Sequence, residues 1–411
     1  MRRIISLLVL WLLCQSDLSA QVVSEWRGFG RSGVYNETGL LTEWPVGGPK
    51  LLWSIEGLPK GYSSVVIANS MIYTTGFKGD SDVLIAMDLN GNIKWQNPYG
   101  RAWTDSYPES RCTPTVVGNW VYVSSGKGDL ACFNALNGEL KWSRKASEDY
   151  HGDYGKWGLS ESLLVVGDKV FFTPGGETTT MIALDKLSGK TVWITESLKD
   201  APSYTSPLLV ERGGKKIIVN VTTKYIFGAN ALDGKILWKF DFGLYAEERN
   251  NNTNTPIYSE GNIFLTSGYN HKSIMLRLTE DGAHVTLVWV EGILDVHHGG
   301  VVKVGDYIYG SSWEHNTMGN WVCLEWNTGK MMYDKEWINK GSIISAEGML
   351  YCYEEKSGNI ALVKASPNDF KVISSFKISK GSGPHWAHPV IDNGVLYIRH
   401  GEALMAYSIL K

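Results

Sequence analysis

A short phrase that ends in tryptophan recurs along most of the chain and restricts the folds open to it. It reads DLNGNIKW at 88–95, NALNGELKW at 134–142, DKLSGKTVW at 185–193 and NALDGKILW at 230–238. Looser copies end at Trp289, Tyr333 and Phe376, and GGPKLLW, which ends at Trp53, opens the series. The copies are roughly 40 to 50 residues apart, which is the period of a propeller blade and not of a helical repeat.

Each copy reads as a β-hairpin. An apolar run leads into Asn-Gly, Ser-Gly, Asp-Gly or Thr-Gly, residue pairs that adopt tight turns at little steric cost, and a second apolar run follows. Another hairpin lies upstream of each phrase, as in VVGNWVYVSS at 116–125 and VVGDKVFFT at 165–173. No segment has a sustained helical period. The sequence therefore predicts an all-β chain built from a repeated antiparallel sheet of four strands.

The number of units predicts an eight-bladed β-propeller. Seven units begin near Gly61, Ser110, Leu159, Ser203, Asn252, His297 and Asn339. The eighth begins near His385 and has only three strands before Lys411. We expect the segment KLLWSI, 50–55, to supply its fourth strand and so close the ring, which removes open strand edges. The repeated tryptophan, large and flat, is expected to wedge between neighbouring blades.

The domain organisation follows from these positions. Residues 50–411 are predicted to form a single propeller domain, preceded by a lead-in segment at 21–49 and a signal peptide at 1–20. The signal peptide has a charged start, an apolar stretch at 4–13 that is too short to span a bilayer, and a cleavage site at 18–20. The sequence thus predicts export to the periplasm or cell envelope. A lipid anchor on Cys14 is disfavoured by the bulky Leu13 before it.

Composition excludes several function classes. The net charge is −3 without a basic cluster, which argues against binding to nucleic acid or to an anionic membrane. No transmembrane segment follows the signal peptide, and we expect a monomer. Four cysteines fall inside predicted strands, where they are expected to be small buried residues: Cys112, Cys132, Cys323 and Cys352. The absence of Cys-x-x-Cys-His excludes covalently attached c-type haem.

The phrase (Asp/Asn)-x-x-(Thr/Asn/Ser/Asp)-Gly-x-x-x-Trp resembles the tryptophan-docking repeat of the pyrroloquinoline-quinone (PQQ)-type propellers. That family includes quinoprotein alcohol dehydrogenases and the BamB-type outer-membrane assembly lipoproteins. The opening segment at 26–53 is similar to the lead-in of exported proteins described as quinone-repeat or BamB-like. The dehydrogenases carry a pair of adjacent cysteines and cofactor-site insertions, and this sequence has neither. The resemblance implies a fold more specifically than an activity.

Alignment of the eight inner-strand starts predicts which residues surround the channel mouth. The position before each start is occupied by Tyr62, Arg111, Ser160, Tyr204, Thr253, His298, Lys340 and Trp386. Just inside this ring lie Glu161, Asn254 and His388. Apart from Ser160 and Thr253, these residues are the candidate ligand-binding set, because their cations and aromatic rings suit an anionic or sugar-like ligand. The alternative is that the loops are polar because they meet water.

No metal site is predicted. His297 and His298 are adjacent, and adjacent side chains on a strand point to opposite faces, so they do not easily share one ion. A site that joins them to His388 and Glu161 from other blades is left open. A hydrogen-bonded pair in the channel wall is the favoured interpretation.

Three functions are carried forward, with catalytic residues unknown for each. The leading hypothesis is a non-catalytic exported binding or scaffold module whose upper rim meets a small molecule or an envelope protein. The resemblance implies two alternatives. One is a PQQ-dependent, polyvinyl-alcohol-like dehydrogenase, with PQQ at the channel mouth and calcium held by Glu161 and Asn254. The other is an outer-membrane protein assembly factor like BamB.

Overall fold

The computed structural model describes residues 23–411, which form eight sheets, each built on four antiparallel strands, arranged as the blades of a closed ring. This confirms the predicted eight-bladed propeller of four-stranded blades. No described helix has the length and apolar character needed to cross a membrane. The predicted signal peptide and Cys14 fall outside the described residues.

The strands follow one another regularly along the chain. The lead-in and closing strands are β1 (Val23–Ser24), β2 (Val34–Tyr35) and β3 (Lys50–Ile55). Blade 1 contains β4 (Val66–Ala68), β5 (Met71–Lys78), β6 (Ser81–Asp88) and β7 (Ile93–Arg101). Blade 2 contains β8 (Thr115–Val117), β9 (Trp120–Ser124), β10 (Asp129–Asn134) and β11 (Leu140–Lys145). Blade 3 contains β12 (Leu164–Val166), β13 (Lys169–Phe172), β14 (Ile182–Asp185) and β15 (Thr191–Ile194). Blade 4 contains β16 (Leu208–Arg212), β17 (Lys215–Val221), β18 (Tyr225–Asn230) and β19 (Ile236–Asp241).

The second half of the ring repeats the pattern. Blade 5 contains β20 (Ile257–Ser259), β21 (Asn262–Leu265), β22 (Ser273–Leu278) and β23 (Val285–Glu291). Blade 6 contains β24 (Val301–Val304), β25 (Tyr307–Ser311), β26 (Trp321–Glu325) and β27 (Met331–Lys335). Blade 7 contains β28 (Gly341–Ala346), β29 (Met349–Glu354), β30 (Asn359–Lys364) and β31 (Val372–Lys377). Blade 8 contains β32 (Val390–Asp392), β33 (Val395–His400) and β34 (Ala403–Ser408). The helical elements are the α-helix α1 (Ala146–Asp149) and the 3-10 helices Phe29–Arg31 and Phe242–Tyr245.

Ring closure occurs where the sequence predicts it. Strand β3 pairs antiparallel with β34, with Leu51 opposite Tyr407 and Ile55 opposite Leu404. Blade 8 thereby gains its fourth strand from the N-terminal side of the chain. This pairing covers an edge of β34 that would otherwise offer unpaired backbone groups.

The lead-in segment also adds strands that the sequence did not indicate. Val23 pairs antiparallel with Val117, so β1 becomes a fifth strand of blade 2. Val34 pairs in parallel with Ser345, so β2 becomes a fifth strand of blade 7. Both additions are on the inner strands β8 and β28, which brings residues 23–35 to the channel.

The tryptophan of most blades packs on the turn glycine of the next, with an exception at Gly282, which lies against Ile217 and not against Trp238. Trp142 of blade 2 donates from Nε1 to the carbonyl of Lys186 in blade 3, at 2.9 Å. A Cβ on Gly189 would lie 2.8 Å from Trp142 Cδ2, so only glycine leaves room for the ring. Trp95 and Gly138 have the same relation between blades 1 and 2, with 2.7 Å to such a Cβ. The glycine of the phrase thus has two functions: a positive φ for the turn and space for the preceding tryptophan.

The core lies between adjacent blades. One cluster joins Tyr122 and Cys132 of blade 2 to Val170 and Phe172 of blade 3. The predicted burial of the four cysteines is confirmed, and all four are free thiols. Burial raises the pKa of the Cys112 thiol to about 11, which keeps it protonated at neutral pH.

Candidate functional site

A chain of side-chain hydrogen bonds connects the starts of neighbouring inner strands. The backbone N–H of Ser64 donates to Thr113 Oγ1 (3.0 Å), that of Thr113 to Ser162 Oγ (3.1 Å), and that of Ser162 to Ser206 Oγ (2.9 Å). The N–H of Ser206 continues the series to Thr255 Oγ1 at 3.1 Å. Because these five residues are the middle positions of the aligned inner-strand starts, the bonds agree with that alignment over blades 1 to 5. The residues two positions earlier therefore face the same end of the channel.

Arg27 of the lead-in crosses into the channel beneath this rim. Its guanidinium is buried and donates to the carbonyls of Ile343 (3.0 Å) and Val301 (2.5 Å). It also lies 2.7 Å from His388 Nδ1. A Cβ on Gly300 would lie 2.4 Å from Arg27 Nη1, so a glycine in blade 6 makes room for the cation. Burial lowers the pKa of Arg27 to about 10, which leaves it charged at neutral pH.

Arg31 anchors the other end of the same segment. It donates to the carbonyls of Ser162 (2.7 Å) and Leu163 (2.8 Å) in blade 3 and pairs with Glu25 at 2.9 Å. Arg27 contacts blades 6, 7 and 8, so the two arginines tie opposite parts of the ring together. The lead-in therefore crosses the channel and is held on both sides of it.

Aromatic rings from several blades meet at the mouth around Trp386. Its ring centroid lies 4.9 Å from that of Tyr62, 5.1 Å from that of Tyr107 and 4.9 Å from that of His298. Tyr107 continues to Trp157 at 6.2 Å. Trp386, Tyr62 and Trp157 are half-buried and Tyr107 is exposed. The structure thus brings together three predicted rim residues, along with two loop aromatics that the rim alignment did not include.

Arg111 and Tyr204 are in the same region. Arg111 donates from Nη2 to the carbonyls of Ser106 (3.0 Å) and Tyr107 (2.6 Å), and no described bond starts from its other nitrogens. Burial lowers the pKa of Arg111, and the neighbouring groups that oppose this shift are Asp82, Tyr62, Glu109 and Tyr204. The Tyr204 hydroxyl accepts the backbone N–H of Trp157 at 3.2 Å, which holds that loop. Arg111 is therefore a rim cation whose remaining N–H groups can donate hydrogen bonds to a ligand.

Three other predicted residues serve the fold. Asn254 donates to the carbonyl of Val296 at 2.7 Å and accepts the N–H of Gly300 at 3.1 Å. The second ring nitrogen of His388 is 3.0 Å from the carbonyl oxygen of His298. The ammonium of Lys340 is 2.5 Å from Glu355 Oε1. The polar atoms of these side chains are taken by the protein itself.

Glu161 does not complete a calcium site with Asn254. Its carboxylate is buried, Oε2 accepts the N–H of Thr173 at 3.2 Å, and Oε1 has no partner among residues 23–411. Burial raises its pKa to about 8, so the group is neutral at pH 7. Both amide atoms of Asn254 are bonded to backbone groups, and no described contact brings the carboxylate of blade 3 to this amide of blade 5, so the pair does not form the calcium site of the dehydrogenase hypothesis.

The buried carboxyl of Glu161 predicts a pH-dependent stability. Its folded-state pKa of about 8 exceeds the ordinary 4.5, so between these values the folded protein holds a proton that the unfolded chain releases. The free energy of unfolding therefore falls as pH rises through this window, by at most about 1.4 kcal/mol per unit. Glutamine cannot ionise, so the free energy of unfolding of Glu161→Gln should not fall in this way. We expect the difference in this free energy between the variant and the wild type to shift in favour of the variant by roughly 1–3 kcal/mol as pH rises from 5 to 8.

Urea unfolding at both pH values measures this change. The exposed Glu139→Gln is the matched control and should leave the pH dependence unaltered. If the free energy of unfolding depends on pH in the same way for wild type and Glu161→Gln, Glu161 ionises normally in the folded protein.

The predicted geometry of His297 and His298 is wrong. Their ring centroids are 4.1 Å apart at an interplanar angle of 36°. The alternation rule fails because both residues precede β24 and lie in an irregular segment. Glu355, which follows β29, joins them: its Oε2 is 3.7 Å from His298 Nδ1. The only hint in the sequence was the pair Glu354-Glu355 at a strand end.

The sequence is similar to that of a known protein family. Residues 79–335, more than half of the chain, match the family described as outer membrane protein assembly factor BamB. The chain belongs to the BamB family. BamB from Kangiella koreensis is 22% identical over 220 residues, which cover 52% of this chain and 50% of the relative. BamB from Shewanella oneidensis is 20% identical over 280 residues, 64% of this chain and 66% of the relative. The chain thus spans about half to two thirds of the length of these two BamB relatives.

Solved structures show the same architecture. BamB from Moraxella catarrhalis superposes with a TM-score of 0.64 at 15% identity, covering 88% of this chain and 99% of that one. A europium-containing methanol dehydrogenase superposes with a TM-score of 0.54 at 13% identity, covering 93% and 90%. At these identities the likeness establishes the fold alone.

Proposed function

We propose that this member of the BamB family is a non-catalytic binding propeller of the cell envelope, whose upper rim binds an acidic sugar. The observation that carries the proposal is the meeting of Tyr62, Tyr107 and His298 on Trp386 at the mouth of the channel. Aromatic faces stack on sugar rings, and a partly buried cation binds a carboxylate. Arg111 supplies that cation.

A cleft of about 350 Å³ on the opposite face is less suited to such a ligand. It lies between turns of blades 1, 2 and 8 and is lined by Ser24, Asn69, Leu89 and Asn393, among others. Its lining contains no aromatic ring and a single charged residue, Asp392. The rim therefore has the better combination of stacking surface and charge.

The envelope location rests on the family and on the signal-like pattern of residues 1–20. The relatives are named as outer membrane protein assembly factors, and such assembly is a second candidate function, favoured by the family match over blades 1 to 6. An assembly factor would copurify with outer-membrane assembly components from envelope fractions, whereas a sugar-binding module would not. PQQ-dependent oxidation is supported only by the shared fold, because Glu161 and Asn254 are not brought together in the described residues and the amide of Asn254 is occupied by backbone groups.

Calorimetric titration with oligogalacturonate and with a neutral oligosaccharide tests the rim. We expect Arg111→Ala to weaken binding of the acidic sugar by at least about 10-fold, since a charge-assisted pair is lost. Trp386→Ala should weaken both sugars, because both stack on the ring. Arg277→Ala, an exposed arginine of β22 near the turn at Glu260, is the control and should bind like the wild type. Absence of binding, or equal binding by all variants, would refute the proposal.

A further inference from the structure

We propose that His297, His298 and Glu355 form a binding site for a divalent transition-metal ion of the zinc type in the upper channel wall. One ring nitrogen from each histidine and one carboxylate oxygen of Glu355 lie within 4.8 Å of one another. Metal–ligand bonds of about 2.0–2.2 Å place tetrahedral ligand atoms roughly 3.3–3.6 Å apart, so metal binding would require side-chain rotations that shorten the longest separation by about 1 Å. The described residues, 23–411, contain no other group of three or more His, Cys, Asp or Glu in this arrangement.

The fold holds the two parts of the site in place. The histidines lie between β23 of blade 5 and β24 of blade 6, and Glu355 follows β29 of blade 7. The N–H of Ile343 donates to the carbonyl of Gly299 at 3.2 Å, and the N–H of Glu355 donates to the carbonyl of Lys340 at 3.0 Å. These backbone bonds join the segments that carry the ligands. The site is therefore built on the junction of two blades and not on a free loop.

Neighbouring groups already orient the candidate ligands. The hydroxyl of Tyr269 is 2.9 Å from His297 Nε2, which leaves His297 Nδ1 buried and without a described hydrogen-bond partner. The ammonium of Lys340 holds Glu355 Oε1, which leaves Oε2 facing His298. Metal-binding histidines and carboxylates commonly have such partners on their outer atoms, which fix the ring or carboxylate in place. His298 Nε2 is a further buried nitrogen without a described partner.

The donor set selects the ion. Two imidazole nitrogens and one carboxylate oxygen suit zinc, whereas calcium and magnesium prefer oxygen ligands. Three protein ligands leave a coordination position open. His298 is 4.9 Å from Trp386 between ring centroids, so that position adjoins the aromatic rim. The ammonium of Lys340 repels a cation, and we therefore expect weaker binding than in a structural zinc site.

A zinc titration tests the site. The protein, without an affinity tag, is first treated with EDTA and is then titrated with zinc chloride. We expect one equivalent of zinc to bind, and His297→Gln and His298→Gln each to weaken binding by about 100-fold or more. Tyr269→Phe should weaken it by about 10-fold, because it removes the partner of His297 Nε2. The control is His284→Gln, an exposed histidine of the β22–β23 turn, which should bind like the wild type.

Cobalt provides a readout that does not depend on affinity. Cobalt(II) bound by two imidazoles and a carboxylate should give visible absorption, which Tyr269→Phe shifts without unfolding the protein. No stoichiometric zinc in the wild type, or equal binding by the folded His297→Gln and His298→Gln variants, would overturn the proposal. Because no sugar is present, this outcome is independent of the sugar-binding test of the rim.

Discussion

Replacement of Arg27 by methionine should destabilise the propeller by about 2–4 kcal/mol, because each buried acceptor left unsatisfied costs about 1–3 kcal/mol and the removal of a buried charge offsets part of that loss. The guanidinium is 3% exposed and holds the carbonyls of Val301 and Ile343 and the ring of His388. Methionine fills part of the volume but donates no hydrogen bond. Two carbonyls and a histidine nitrogen would then remain buried without the donor that now satisfies them.

Urea unfolding followed by tryptophan fluorescence measures the loss. Arg277→Met is the matched control, because Arg277 also bonds a carbonyl, that of Glu260 at 3.1 Å, but is exposed. Its replacement should change the free energy of unfolding by less than about 1 kcal/mol. If Arg27→Met is as stable as Arg277→Met, the lead-in segment contributes no net stability through its buried cation.

Replacement of Gly189 by alanine should lower the free energy of unfolding by about 2–5 kcal/mol, by two additive causes. The first is the positive φ of 67°, which costs an alanine about 1–2 kcal/mol. The second is the new Cβ, 2.8 Å from the Trp142 ring, which forces the ring or the turn to shift at a cost of about 1–3 kcal/mol. The blade 2–blade 3 contact is thereby loosened.

Gly167→Ala separates the two causes within the same blade. Gly167 has a φ of 62°, but a Cβ there would meet nothing within 4 Å. We expect this variant to lose only the conformational share, about 1–2 kcal/mol. Equal losses for Gly167→Ala and Gly189→Ala in urea unfolding would mean that the tryptophan does not need the space that glycine provides.

The candidate site was predictable in part. Tyr62, Arg111, Tyr204, His298 and Trp386 were proposed from the repeat register alone, and the hydrogen bonds between inner-strand starts agree with that register over blades 1 to 5. Glu355 and Tyr269 were missed, since their positions relative to the histidines depend on how blades 5, 6 and 7 pack. The roles of Asn254 and His388 could not be predicted from the sequence either. Their polar atoms bond to Arg27 and to backbone groups that are distant in the chain.

The sequence by itself determined the architecture, because most phrases encode a turn at glycine and an aromatic anchor, and eight such units with a supplementary N-terminal strand can close into a ring. The contact between glycine and the preceding tryptophan recurs from Gly91 to Gly329, with an exception at Gly282. Tertiary structure alone decided the course of the lead-in through the channel and the convergence of His297, His298 and Glu355. Those features depend on contacts between residues far apart in the chain, such as Arg27 with Ile343, which no local pattern records.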